Sequence, residues 1–253
     1  MGTRILAGRT AVVSGARRGI GAAIAEALLA AGARVVVCGR DAVQVEAAVT
    51  GLRGRGFAGA EGFGGDLHTA EARAELLTAA GAVDILVNNA GGFLRTTTTL
   101  DATDEEWDEQ LRANLTLPFL LCRAVLPGML GRGWGRIINV GSVTATAPQL
   151  GNAIGYVAAK SGLVGFTRQL ALEVAGTGVT ANVVNPGTVG TEHLADYFAA
   201  SPQVSEAELA QRIPMGRLGR PREIAALIPC IASDDAAFLT GAVIDVNGGA
   251  VTA

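Results

Sequence analysis

Apolar positions along the chain fall into two kinds of run. Short unbroken stretches of β-branched and aliphatic residues, such as Ile85-Leu86-Val87 and Ile137-Ile138-Asn139-Val140, alternate with longer stretches rich in Ala and Leu. Unbroken runs of this length fit strands covered on both faces, as a parallel sheet between helices requires. Seven of them fall at 10–14, 34–38, 58–62, 83–88, 135–141, 180–185 and 242–246. Helical stretches lie between them at 20–31, 42–53, 70–80, 104–130, 153–175 and 221–232. This alternation predicts an α/β fold, a doubly wound seven-stranded parallel sheet flanked by helices. Thr103 ahead of Asp104-Glu105-Glu106 supplies a capping hydroxyl and an acidic first turn, and Pro221 suits the start of a helix. No repeat, low-complexity tract or charged linker divides the chain, so residues 1–253 read as one domain. The pattern loosens over 191–219, too long for an ordinary connection, and about 191–215 reads as an inserted substrate loop.

The turn after the first strand carries the first candidate chemistry. Ser14-Gly15-Ala16-Arg17-Arg18-Gly19-Ile20-Gly21 leads from strand to helix with G-x-x-x-G-x-G spacing. Glycines there allow a tight turn and close backbone approach, and the helix start offers N–H groups to a phosphate. At the end of the second strand, where an NAD site commonly holds a carboxylate, stand Gly39 and Arg40. Two guanidiniums, Arg18 and Arg40, suit the extra phosphate of NADP(H), with Asp41 next door as the one opposing charge.

Composition narrows the function classes. A net charge of −3, with arginines scattered along 253 residues, argues against a nucleic-acid binder. Cys38, Cys122 and Cys230 are far apart and in apolar settings, so they read as small core residues of a reducing compartment. His68 and His193 are the only histidines and no zinc spacing is present, so no metal is expected. The greasiest run, 115–130, is broken by Pro118, Arg123 and Pro127 and does not read as a membrane span. With no secretory pattern over the first residues, a cytoplasmic location is expected.

The basic total of 20 contains a single lysine, Lys160, four residues after Tyr156, one of two tyrosines. Positions four apart share a helix face. An ammonium beside a phenol favours the phenolate, which makes a tunable acid/base out of a group that ordinarily titrates near 10.

From Gly8 to Gly249 the chain resembles the short-chain dehydrogenase/reductase family, and within it the 3-oxoacyl-carrier-protein reductases and related ketoreductases. The resemblance is carried by the glycine turn, Asp66-Leu67, Asn88-Asn89-Ala90-Gly91, Asn114, Ser142, Tyr156-x-x-x-Lys160 and Pro186-Gly187-x-x-x-Thr191. It continues through Gly216-Arg217-Leu218-Gly219-Arg220-Pro221 and Thr240-Gly241 to Val246-Asn247-Gly248-Gly249. It implies a Rossmann fold and four catalytic positions. Tyr156 would be the proton donor to a ketone, Lys160 would lower its pKa and bind the nicotinamide ribose, and Ser142 would hold the substrate oxygen. Asn114 would anchor a water. Cofactor contacts are implied at Ser14, Gly15, Arg17, Arg18, Gly19, Ile20, Gly21, Arg40, Asp66 (adenine), Leu67, Asn89, Ala90, Gly91, Tyr156, Lys160, Pro186, Gly187, Val189 and Thr191.

The expected activity is NADPH-dependent reduction of a ketone to a secondary alcohol. The same residues would serve an NAD(H)-dependent dehydrogenase of a polyol, steroid or sugar alcohol, against which Gly39 counts. A non-catalytic cofactor sensor would have lost part of the Tyr-Lys-Ser-Asn set, which is intact. The substrate is a small molecule, with His193, Leu194, Tyr197 and Phe198 as candidate pocket residues and Arg95 as a candidate contact for an anion. One residue more than the family norm separates Ser142 from Tyr156, and Asn247 stands where Asp is commoner. A homotetramer paired through the helices at 104–130 and 153–175 is implied, with a dimer as the alternative.

Overall fold

The computed structural model describes residues 4–93, 95–148, 151–200 and 205–252. Seven parallel strands form one sheet: β1 (Thr10–Ser14), β2 (Arg34–Gly39), β3 (Ala60–Gly64), β4 (Ile85–Asn88), β5 (Gly135–Val140), β6 (Val179–Pro186) and β7 (Val243–Val246), in the order β3-β2-β1-β4-β5-β6-β7. Neighbouring residues of a strand face opposite layers, and the core divides accordingly. Val13, Val35 and Val37 meet Ile24 and Leu28 of α1 (Gly19–Ala30), Val45 and Val49 of α2 (Ala42–Gly54), and Ile224 and Ile228. Val12, Val36, Leu86 and Ile137 face the other way. They meet Leu76 of α3 (Ala70–Ala80), then α5 (Leu117–Arg132) and α6 (Ile154–Glu173) through Leu121, Val125, Met129 and Leu170. Six parallel pairings leave each central strand covered on both sides, which is why those runs are unbroken and apolar.

Three elements depart from the expected pattern. The helix expected over 104–130 is α4 (Asp104–Leu111) and α5 joined by a wider π-turn, Arg112–Thr116, closed by the Leu117 N–H donating to the Arg112 carbonyl. Pro118 follows at once. It has no N–H for the α-type bond to the Asn114 carbonyl, so the helix must rearrange locally there. The whole run Asp104–Arg132 is long and apolar enough by composition to cross a bilayer, but Leu121, Cys122, Val125 and Met129 pack into the second layer. The helix expected over 221–232 is two short pieces, α9 (Pro221–Ala225) and α10 (Ile228–Ile231), because Pro229 cannot donate to the Ala225 carbonyl. The irregular stretch after 191 holds α7 (Glu192–Ala200) and α8 (Glu206–Gln211), the latter started by a Ser205–Glu208 capping box.

Cys38 and Cys122 are buried, and burial pushes both thiols up to about 12, as inert core residues should be. Cys230 differs from expectation: it is exposed. Among the described residues no cluster of metal-ligating side chains occurs.

Candidate active site

β1 and β4 are neighbours whose chains continue to opposite halves of the sheet, and the crevice beyond their C-terminal ends is where such sheets bind ligands. The two turns that bound it are tied together. The Ser14 hydroxyl, buried at the tip of β1, accepts the Asn89 and Ala90 N–H groups at 3.1 Å each, and the Asn89 amide donates to the Ser14 and Gly15 carbonyls at 3.1 and 3.0 Å. Gly15 has φ 64, and a Cβ there would come within 2.8 Å of the Ala90 Cα. At Gly21 a Cβ would collide with the Asn89 amide and the Gly15 carbonyl. α1 then begins at Gly19 with no side-chain cap, so its first-turn N–H groups are left for an anion.

This junction opens into a cleft of about 1050 Å³. Every residue expected to contact cofactor lines it: the 14–21 turn apart from Ala16, Arg40, Asp66 and Leu67, Asn89 to Gly91, Tyr156 and Lys160, and Pro186, Gly187, Val189 and Thr191. A cleft of that volume, bounded by the glycine turn, has room for a dinucleotide. At its adenosine end β2 finishes in Gly39 without a carboxylate. Asp41 is committed to α2, its side chain accepting the Val43 and Gln44 N–H groups at 2.9 and 3.1 Å, while Arg40 stays exposed. Arg18 differs from expectation. Its guanidinium is engaged by Asp196 of α7 at 2.8 Å, so an anion would have to displace that carboxylate.

At the other end of the cleft α6 carries Tyr156 and Lys160 one turn apart. Lys160 is buried, donates to the Val140 carbonyl at 2.8 Å and lies 5.7 Å from the centre of the Tyr156 ring. Burial lowers Lys160 to about 8. Tyr156 is hydrogen-bonded to the Ser142 side chain, but burial outweighs that bond and its phenol sits above the usual value. The expectation that Lys160 would lower the phenol is not met, because the ammonium is directed at Val140 and desolvation prevails. Ser142, at the end of β5, is buried, and its N–H donates to the Asn185 side chain at 3.0 Å. Its hydroxyl accepts from the Thr144 hydroxyl at 3.0 Å.

Asn114 stands behind the cleft wall, fully buried in the π-turn. Its side-chain oxygen accepts the Gly92 N–H at 2.8 Å and its amide donates to Gln110 at 3.0 and 3.1 Å. α6 is registered against the sheet by a buried chain from Asn88 to Asn139 at 2.8 Å and from Asn139 to Thr167 at 2.8 Å. His193, Leu194, Tyr197 and Arg95 line the outer cleft. Arg95 is paired with Glu106, and the side chain of Phe198 lies outside the described residues.

Sequence reading missed several members. Phe93 packs against Tyr156 with ring centres 4.9 Å apart and the rings tilted by 51°, and its place just after the Asn88–Gly91 turn was the available signal. Asn185, which holds Ser142 from β6, gave none beyond being a polar residue in a buried strand. Asn247, the departure from the commoner Asp, closes the tail by accepting the Gly249 N–H at 2.8 Å and donating to the Val251 carbonyl at 2.9 Å.

Residues 9–201 match the family model for short chain dehydrogenase. The chain is 43% identical over 250 residues to 3-oxoacyl-acyl-carrier-protein reductase of Vibrio cholerae, covering 96% of this chain and 98% of that one. A 3-oxoacyl-acyl-carrier-protein reductase structure from Brucella melitensis superposes with a TM-score of 0.92 at 32% identity, covering 99% and 94% of the two chains. A structure from Beutenbergia cavernae, described as an NAD(P)-dependent gluconate 5-dehydrogenase with bound NADP at low occupancy, gives 0.89 at 38% identity, with 98% of each chain covered.

Proposed function

The chain belongs to the short-chain dehydrogenase family, a pyridine-nucleotide oxidoreductase, and we propose that it reduces a ketone to a secondary alcohol with NADPH. The observation that carries this reading is the Tyr156 phenol, hydrogen-bonded to Ser142 and opening into the cleft that the glycine turn lines. The nicotinamide cofactor supplies hydride when bound. The chain's part is to orient the carbonyl and give its oxygen one proton. The Ser142 hydroxyl, which accepts from Thr144 on a backbone held by Asn185, holds the carbonyl oxygen beside the Tyr156 hydroxyl. A phenol raised by burial keeps its proton at neutral pH, which suits a donor. As the alcohol forms, the proton leaves Tyr156 Oη for the substrate oxygen. Lys160 supports the resulting phenolate by its charge. Its proton is loosely held at about 8, which makes it a ready source for the return to Tyr156. Asn114, whose carbonyl Pro118 deprives of an α-helical donor, would anchor the water linking Lys160 to solvent.

The preference for NADPH rests on the bare end of β2 and on Arg40, with Arg18 joining once Asp196 releases it. A cytoplasmic location and a carrier-linked or free acyl substrate belong to the same proposal. Two of the relatives named above are named as 3-oxoacyl-acyl-carrier-protein reductases and one as a gluconate 5-dehydrogenase.

Two measurements test it. Parallel fluorescence titrations with NADPH and NADH should favour NADPH, and Arg40→Ala should erase that preference. Tyr156→Phe should cut kcat by about 10²–10⁴, the usual worth of a general acid, with NADPH affinity nearly intact. Near-normal turnover in Tyr156→Phe would remove the assigned proton donor, and tighter NADH binding would redirect the search to alcohol oxidation.

A further inference from the structure

At the adenosine end of the cleft, which it lines, His68 makes a connection that none of the roles above requires. Its Nδ1 lies 2.9 Å from Asp66 Oδ1, and its Nε2 lies 3.1 Å from the carbonyl oxygen of Arg112. That carbonyl is the one to which Leu117 donates to close the π-turn carrying Asn114. One imidazole therefore spans from the loop after β3 to the catalytic turn between α4 and α5. We propose that His68 is a positioning residue that fastens the adenine-recognising carboxylate of Asp66 to the π-turn carrying Asn114, coupling cofactor affinity to the geometry of that turn.

The two partners settle what the ring must be. A backbone carbonyl and a carboxylate only accept, so each ring nitrogen is bonded only while it carries a proton. Asp66 is a carboxylate here: the side-chain hydrogen bond from His68, then the His68 N–H, hold it below its ordinary range. Both bonds together need the imidazolium. A neutral ring keeps one and turns a lone pair towards the other oxygen. Asp66 Oδ1 is gripped twice, by the ring and by the His68 N–H at 3.1 Å, while Oδ2 has the Arg112 guanidinium 3.8 Å away. The carboxylate is thus held in one orientation, with the His68 side chain only 17% exposed. The other charges around it are Arg73 of α3, which is turned to the Leu67 carbonyl at 2.9 Å, and Glu109 of α4, which lines the same cleft.

The role given to Asp66 rests on the cofactor reading above, and the bridge to the π-turn does not, so the test has two arms. In the first, NADPH is titrated against the wild type, His68→Ala and His68→Gln from pH 6 to 8.5. Wild-type Kd should rise with pH by about tenfold more than the variants' does, the worth of one hydrogen bond to a charged group. His68→Ala should bind weakly throughout. His68→Gln, which keeps a donor but does not titrate, should recover part of the affinity without the extra pH slope. A slope common to all three proteins comes from the cofactor's own phosphate and would overturn the proposal.

The second arm is NMR of the protein alone, where two histidines make the ring signals assignable. Where both His68 ring nitrogens carry a proton both bonds should be seen, and as pH is varied the Leu117 amide should shift together with the ring signals. A Leu117 amide indifferent to that titration would overturn the bridge. If no nicotinamide nucleotide bound at any pH, the cofactor reading would fall, and this arm would still decide the bridge.

Discussion

Lys160 illustrates how a residue can serve chemistry at the expense of the fold. Its ammonium is buried with one carbonyl partner, and that burial lowers it from 10.5 to about 8. The sign of the linkage follows. Below pH 8 the folded and unfolded chains both hold the proton, and the folded chain bears the full cost of burying it. Between 8 and 10.5 the unfolded chain holds more protons, so stability rises with pH. A shift of that size corresponds to roughly 3 kcal/mol, of which a lost hydrogen bond to Val140 would offset about 1. Lys160→Met should therefore unfold at a higher temperature than the wild type at pH 7 while losing turnover. The gap should narrow by pH 9.5 in thermal denaturation followed by circular dichroism. A variant less stable at pH 7 would show that Lys160 holds the site together and is not a burden on it.

At the scale of elements, α7 and the glycine turn are linked by the Arg18–Asp196 ion pair, and Tyr197 of the same helix meets the Thr96 hydroxyl at 3.1 Å. Both partners of the ion pair are substantially exposed, which limits its worth to about 0.2–1 kcal/mol. If Arg18 must leave Asp196 to meet a phosphate, Asp196→Asn should tighten NADPH up to about fivefold and leave NADH nearly unchanged in parallel calorimetric titrations. Weaker NADPH binding would mean instead that Asp196 holds Arg18 in the orientation the phosphate needs. The α4–α5 pair works differently. There a proline sets a π-turn, and the side chain of Asn114, bonded to Gly92 and Gln110, joins that turn to the loop after β4.

Across the whole molecule, two apolar layers enclose the sheet, yet some large apolar side chains stay outside both. Trp107, Phe119 and Leu130 on α4 and α5 and Leu172 on α6 are exposed, on the helices through which pairing was expected. Light scattering should give a mass four times the 25.6 kDa of the chain, and Phe119→Glu should shift it to smaller species. A monomer at all concentrations would remove the tetramer expectation.

The sequence by itself determined the strands, most helices and the cleft's floor. Those features are local: an apolar run, a capping hydroxyl, a glycine turn between strand and helix, or a four-residue spacing on one helix face. Tyr156, Lys160, Gly15 and Gly21 were therefore legible, as was the bare end of β2. Only the tertiary structure decided how those parts are charged and held. Asn185 reaches Ser142 from another strand, His68 reaches Arg112 across 44 positions, and Asp196 reaches Arg18 across 178. Such contacts join residues that folding brings together, and nothing in their local spacing announces them. The same holds for Tyr156. A neighbouring lysine pointed to an easily ionised phenol, but the depth of burial, a property of the packed molecule, keeps its proton on.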